Sequence, residues 1–208
     1  MNYKKGLSAT ELLIWINVGF FIFVLIVSGF FREFISFIAL EPASVWQGQK
    51  VWTLLTSMFM HGNFLHLFVN MFSLFFLGSF LESLIGKRDY ITIYFAGGLL
   101  GGVFFVLAPL FGLGDWLIPA VGASGAIFAL GGALAVITPR LPVYIMFIPI
   151  PIPMYIAIFL MFIVLSFIPN IANSGHFGGL VAGLIIGAYF KKDAMNKLRI
   201  LYRHGFMR

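Results

Sequence analysis

Long stretches of this sequence carry no charged side chain. The first runs from Leu12 to Phe31, and the longest, Leu141–Phe190, extends over 50 residues. A membrane-spanning helix needs about 20 mostly apolar residues. Only 10% of the chain is charged and 61% is hydrophobic, so polar side chains are too few to cover the surface of a soluble fold. These features exclude a soluble enzyme and a disordered chain, and they predict an all-α polytopic membrane protein.

We predict six membrane-spanning helices in a single membrane domain covering residues 1–208. The last apolar stretch is too long for one span, and the turn-like segment 169–175 divides it. Three prolines in segment 149–153 exclude a regular helix there, so this segment should be an interfacial connector. The first span exceeds the apolar length of a cleaved signal peptide, and we expect it to be retained. The predicted spans are approximately 12–31, 64–82, 90–112, 122–138, 153–168 and 175–190.

The basic residues are distributed unevenly between the two sides of the predicted bundle. Six spans place both termini on one side, where the loops and termini hold eleven Lys and Arg residues; the other side holds only Arg32 and Lys50. The positive-inside rule therefore predicts cytoplasmic termini. The net charge of +6 then belongs to a flank facing anionic membrane lipids rather than to a nucleic-acid site. We expect the protein in a prokaryotic cell (inner) membrane.

Polar side chains are few in the predicted spans, and one set of them lies at the starts of three spans. His61, His66 and Asn70 lie at the start of the second span, Ser124 at the fourth and His176 at the sixth. All three helices begin at the outer face in this topology, so the side chains should share a depth in the outer half of the bilayer. Intramembrane polar residues often mark functional sites. A serine beside a histidine base is an activated nucleophile, and the four-residue spacing of His66 and Asn70 places two donors on one helix face.

Small residues predict that the fourth and sixth helices pack closely, as such stripes allow in membranes. Close packing would bring Ser124 within hydrogen-bond reach of His176, and Phe128 could then pack against the imidazole. The sequence has no carboxylate at this depth, which favours a dyad over a triad. The small residues are Gly175, Gly179, Gly183 and Gly187 on the sixth helix, and Gly125, Ala129 and Gly132 on the fourth.

Other interpretations of these residues remain open. A membrane serine commonly satisfies itself on a backbone carbonyl, and His61 can equally be a loop or packing residue. A small membrane transporter would predict intramembrane carboxylates or inverted repeats, and the sequence has neither. A metalloprotease would need His-Glu-x-x-His, whereas His61 and His66 enclose Gly-Asn-Phe-Leu. We expect no metal and no cofactor, and the absence of cysteine excludes a thiol nucleophile.

Three motifs, in this order along the chain, resemble those of the rhomboid intramembrane serine proteases. They are His61-Gly-Asn-Phe-Leu-His66-Leu-Phe-Val-Asn70, Gly122-Ala-Ser124-Gly125 and His176-Phe-Gly-Gly179. The resemblance covers residues 10–190 and implies a six-helix rhomboid-like bundle. It implies Ser124 as nucleophile, His176 as general base, and His66, Asn70 and the Ser124 backbone N–H as oxyanion donors. The supporting residues would be His61, Gly122, Gly125, Phe128 and Gly179.

The resemblance also implies a reaction and its substrates. The protein would be a serine endopeptidase that hydrolyses peptide bonds in or near transmembrane segments of single-span or polytopic membrane proteins. These substrates would enter from the lipid between the second and fifth helices. Without an extra domain, we expect a minimal prokaryotic-type member. The outer loop 32–60 departs from the family pattern, with Trp52-Thr53 where many members have Trp-Arg. A catalytically silent relative that acts as a binding module is the alternative, and it would require loss of Ser124 or His176.

Overall fold

The computed structural model describes residues 6–144, 150–169 and 171–203, and this part of the chain is mostly helical. Three helical stretches are long and apolar enough to cross a membrane by length and composition. The first is α1, Ala9–Phe30. The second joins α5 (Phe64–Ser73), a π-helical turn (Leu74–Gly78) and α6 (Ser79–Ile85); the third joins α7 (Lys87–Leu107) to the 3-10 turn Ala108–Phe111. The chain is an integral membrane protein.

The other three predicted spans also coincide with helices. These are α8 (Ser124–Ile137), α9 (Met154–Ser166) and α10 (Asn173–Arg203). The first two are shorter apolar helices, so the count of six membrane crossings stays a prediction. Helix α10 continues past the predicted end of its span at 190, because the charged segment 191–203 contains no Gly or Pro that would end a helix.

Several helices begin a few residues before the predicted spans, for local reasons. Helix α1 begins at Ala9 rather than 12, because Ser8 and Glu11 form a capping box in which each side chain accepts the other's backbone N–H. Helix α7 begins at Lys87 rather than 90, directly after Gly86, whose φ of 89° ends α6. The predicted turn 169–175 is shorter than expected, since its last three residues belong to α10.

The connecting segments contain little regular structure. The outer loop 32–60 holds three short helices, α2 (Phe34–Ile38), α3 (Pro42–Trp46) and α4 (Thr53–Thr56). The strands β1 (Pro142–Val143) and β2 (Ile152–Pro153) pair antiparallel. Of the predicted connector 149–153, the described residues 150–153 are not helical, as the prolines predict, and Pro149 lies outside the described residues.

The loop 32–60 is hydrogen-bonded to the segment that leads into α8. Leu40 and Ala120 exchange two backbone hydrogen bonds, of 3.0 and 2.8 Å. The backbone N–H of Gly122 donates to the carbonyl oxygen of Ser57 at 2.9 Å. Inside the loop, the indole of Trp52 donates to the Phe37 carbonyl at 2.9 Å. These bonds define the path of the chain just before Ser124.

Helix α8 lies at the centre of the bundle and packs most extensively against α10 and α7. A Cβ added at Gly179 would overlap the carbonyl oxygen of Gly125, and one added at Gly183 would overlap that of Ala129. On α7, a Cβ at Gly101 would lie 2.8 Å from the carbonyl oxygen of Gly175. The three helices therefore meet backbone to backbone, which small residues permit.

Candidate active site

Two side chains from distant segments meet at the start of α8. Ser124 is the first residue of α8, and His176 lies in the first turn of α10. The Nε2 atom of His176 is 2.7 Å from the Oγ atom of Ser124, and the imidazole is buried. The glycine contacts between α8 and α10 allow this approach, because larger residues would hold the two helix starts apart.

The imidazole of His176 is held by an aromatic ring rather than by a carboxylate. The ring of Phe128 lies 4.7 Å from it, centroid to centroid, with 32° between the planes. The Nδ1 atom of His176 is buried and has no hydrogen-bond partner among the described residues. The same part of the chain contains no group of three or more His, Cys, Asp or Glu residues that could hold a metal ion. Among the described residues, no third side chain is hydrogen-bonded to the imidazole that contacts Ser124.

The ring of His66 lies next to Ser124 across a glycine. A Cβ added at Gly122 would lie 2.7 Å from His66 Nε2 and 3.7 Å from Ser124 Oγ. Gly122 has a φ of 125°, which residues with a side chain rarely adopt. The Nε2 edge of His66 and the Ser124 hydroxyl therefore both border Gly122, at a position where a residue with a side chain would not fit.

Asn70 follows His66 by one helical turn and is buried. Its Nδ2 atom donates to the backbone carbonyl of His66 at 2.8 Å, and its Oδ1 atom has no partner among the described residues. An amide nitrogen carries two hydrogens, so one remains for a ligand. The N-cap of this helix is Asn63, whose side chain accepts the backbone N–H of His66 at 2.8 Å; this bond positions the turn that carries both donors.

The N-terminus of α8 contributes backbone donors. The N–H of Ile127 donates to the Ala123 carbonyl at 3.0 Å, so the N–H groups of Ser124, Gly125 and Ala126, which come before it, have no acceptor within the helix. The helix dipole adds a partial positive charge at this end. An anionic oxygen beside Ser124 would therefore be stabilised.

His61 lies behind His66, just before α5. Its Nδ1 atom is 3.2 Å from the carbonyl oxygen of Phe59, and its ring meets the ring of His66 edge-on, with centroids 5.2 Å apart. Burial, with a smaller contribution from the nearby His66, lowers the pKa of His61 to about 4. His61 is therefore neutral at neutral pH.

A cavity of about 410 Å³, including its open mouth, lies beside Ser124. Helices α7, α8 and α10 and the loop before α8 surround it, and its walls include Ser57, Met58 and Gly98. The sequence alone did not indicate that these three residues line the site. A serine in a long loop and one glycine among several offer no spacing signal that would have pointed to the site.

Comparison with known proteins agrees with the motifs. A family model described as the Rhomboid domain matches residues 48–193. RHOMBOID-like protein 5 of Arabidopsis thaliana is 35% identical over 150 residues, covering 72% of this chain and 47% of that protein. Rhomboid protease GluP of Bacillus subtilis (strain 168) is 35% identical over 157 residues, covering 74% of this chain and 29% of that protein. Inactive RHOMBOID-like protein 8 of Arabidopsis thaliana is 30% identical over 137 residues, covering 65% of this chain and 37% of that protein.

The chain thus spans less than half the length of each of these three relatives. Both the matched domain and the aligned regions nevertheless cover most of the chain itself. The polar residues at the starts of α5, α8 and α10 lie within the matched range of 48–193. This chain belongs to the rhomboid family.

Proposed function

We propose that this protein is an intramembrane serine endopeptidase that cleaves membrane-protein substrates in or near their transmembrane segments. The observation that carries the proposal is the 2.7 Å approach of His176 Nε2 to Ser124 Oγ. Ser124 is the nucleophile and His176 the general base. The likeness to a relative named a rhomboid protease supports the same reaction.

The reaction begins with a neutral His176. Its Nε2 atom takes the proton of the Ser124 hydroxyl as Oγ attacks the scissile carbonyl carbon. The imidazolium then gives this proton to the leaving amine, and the peptide C–N bond breaks. Water hydrolyses the resulting ester with His176 again as base, which regenerates the serine. Packing against Phe128 keeps the imidazole in position between these steps.

The negative oxygen of the tetrahedral intermediate is bound by donors that exist before substrate arrives. These are Nε2–H of His66, the free Nδ2–H of Asn70 and the backbone N–H of Ser124. Donors already aimed at a developing charge need no reorganisation during the reaction. The space around Gly122 supports this assignment, because a Cβ added there would lie 2.7 Å from His66 Nε2 and 3.7 Å from Ser124 Oγ.

Substrate enters from the lipid between α5 and α9. Helix α9 packs chiefly on α8, and its N-cap residue, Pro153, makes no side-chain capping bond. An element with few contacts opens at the lowest cost. Water reaches Ser124 through the cavity beside it, which also explains how polar groups are tolerated at this depth. The charge asymmetry supports cytoplasmic termini and a site in the outer half of a prokaryotic cell membrane.

A catalytically silent binding module is the competing function, and one relative is named inactive. The presence of both Ser124 and His176 at hydrogen-bond distance favours the protease.

The test uses purified protein in detergent with a single-span membrane substrate. Wild type should cleave it and react with a fluorophosphonate probe at Ser124. Ser124→Ala and His176→Ala should fold with unchanged melting temperatures but abolish cleavage, and Ser124→Ala should take up no probe. Cleavage retained by purified Ser124→Ala would refute the dyad, while strong inhibition by EDTA would indicate a metal instead.

A further inference from the structure

One buried nitrogen near the site has no hydrogen-bond partner among the described residues and no role in the mechanism above. The Nε2 atom of His61 is buried and makes no hydrogen bond within the described chain, and the residue is only 3% exposed. Buried polar atoms are almost always hydrogen-bonded, directly or through ordered water. An orphan nitrogen beside a proposed donor therefore needs a physical reason.

The protonation of His61 follows from its contact with Phe59. A carbonyl oxygen can only accept, so the 3.2 Å contact between Phe59 O and His61 Nδ1 requires the proton on Nδ1. His61 is neutral at neutral pH, as its burial predicts. Its Nε2 atom then carries a lone pair and can act only as an acceptor.

His66 presents its two nitrogens to different surroundings. Nε2 lies next to Gly122, 2.7 Å from a Cβ added there, while Nδ1 lies 4.0 Å from a Cβ added at Gly62, in the turn before α5. A neutral imidazole donates from one nitrogen and accepts at the other. If Nε2 of the neutral imidazole is to donate to an oxyanion, Nδ1 must carry the lone pair. The ring of His61 lies edge-on to that of His66, with 5.2 Å between their centroids.

We propose that His61 is a positioning residue that selects the tautomer of His66. One water donates one of its hydrogens to His61 Nε2 and its other hydrogen to His66 Nδ1, which keeps the proton of His66 on Nε2, the nitrogen next to Gly122. Two acceptors cannot hydrogen-bond each other directly, and a single water with two hydrogens satisfies both. Nδ1 of His61 is tied to the backbone, so the acceptor that holds this water is fixed.

The inference rests on the proposed oxyanion role of His66, but the tautomer can be measured without it. The experiment is ¹⁵N NMR of full-length protein labelled with ¹⁵N-histidine, which separates Nδ1–H from Nε2–H imidazoles. The chain has four histidines, and His66→Asn identifies the signals of His66. In wild type, His66 should be the Nε2–H tautomer.

Variants at position 61 separate positioning from packing. His61→Leu removes the acceptor and should shift His66 towards Nδ1–H, lower kcat at least about tenfold and leave KM unchanged; the loss stays below that for a sole oxyanion donor because two donors remain. His61→Gln, whose Oε1 replaces the acceptor, should restore both the tautomer and most of kcat. Met60→Leu, a buried neighbour without a polar side chain, should match wild type.

Three results would overturn the proposal. These are an Nδ1–H tautomer in wild type, an unchanged tautomer in His61→Leu, and equal losses of melting temperature and activity in His61→Leu and His61→Gln. The wild-type spectrum requires no variant to fold. If wild type neither cleaves substrate nor reacts with a fluorophosphonate, the proposed function fails, and the spectrum still decides the tautomer.

Discussion

The oxyanion donors can be separated from packing residues by kinetics. His66→Ala and Asn70→Ala should each lower kcat more than they raise KM, because these bonds strengthen only as charge develops on the oxygen. Loss of one donor costs roughly 10²–10³ in kcat in a soluble protease; we expect less here, since the remaining donors partly compensate. The double variant should lose more than the product of the single losses. Asn70→Asp, an acceptor with negative charge, should be worse than Asn70→Ala.

Michaelis–Menten kinetics on a single-span substrate and thermal melting check this prediction together. Ser73→Ala, at the last position of the same helix and without a role in the proposed site, serves as the matched control. Wild-type activity in Asn70→Asp, with lower melting temperatures in both alanine variants, would mean that His66 and Asn70 only hold helices together. The oxyanion role would then pass to backbone groups near Ser124.

Among the helices, the contact between α8 and α10 is the one that brings the dyad together. Gly183→Ala would overlap the Ala129 carbonyl, so α10 must move. Overpacking of this kind costs about 1–3 kcal/mol, and the movement should also separate Ser124 from His176. We expect a lower melting temperature and a larger fractional loss of kcat.

Gly19→Ala is the matched control for this packing prediction. It is also a helix glycine, in α1, but a Cβ there meets nothing within 4 Å. It should be neutral or stabilising by up to about 1 kcal/mol, the helix-propensity difference between glycine and alanine. Equal effects of Gly183→Ala and Gly19→Ala would show that the backbone approach of α8 and α10 is not required.

Helix α1 is joined to the bundle through its N-terminus. The carboxylate of Glu82 accepts the backbone N–H groups of Ala9 and Thr10, at 2.8 and 2.9 Å, and the Thr10 hydroxyl at 2.8 Å. These N–H groups have no acceptor within α1. Glu82→Ala should therefore destabilise the protein by about 1–3 kcal/mol, the cost of leaving such groups unpaired.

Thermal melting of three variants checks the role of Glu82. Glu82→Gln should fall between Glu82→Ala and wild type, because it keeps one acceptor oxygen. Ser83→Ala, an exposed neighbour whose hydroxyl donates to the Phe80 carbonyl within its own helix, should melt like wild type. A Glu82→Ala protein with the wild-type melting temperature would contradict the proposed anchoring of α1.

The orientation of the protein in the membrane can be tested directly with single cysteines, because the sequence contains no cysteine of its own. Single cysteines at positions Ser8, Arg88 and Arg140 should be protected from an impermeant thiol reagent in intact cells. Cysteines at Glu41 and Asp115 should react, and the cysteine-free parent should give no signal. Labelling at Arg140 with protection at Asp115 would invert the topology and move Ser124 to the inner half of the bilayer.

The sequence by itself determined the membrane location, the helical class and the identity of the polar residues at the helix starts. These depend on local quantities: the length of an uncharged apolar stretch, the sign of flanking charges and the residue types within a motif. Helices α1 and α7 begin before the spans predicted from hydropathy. The reason is that the capping box at Ser8 and the positive φ of Gly86 determine where these helices start.

The tertiary structure decided which atoms meet. Packing brings Ser124 to His176 and places Gly122 next to both His66 and Ser124. Packing also buries Nε2 of His61 and brings Glu82 to the start of α1. The small-residue stripes predict that Ser124 approaches His176, but the sequence does not give the other contacts, because each depends on how several helices approach one another at once. Hydropathy determines that a segment enters the membrane, whereas backbone contacts between glycine-rich helices determine whether the segments form a site.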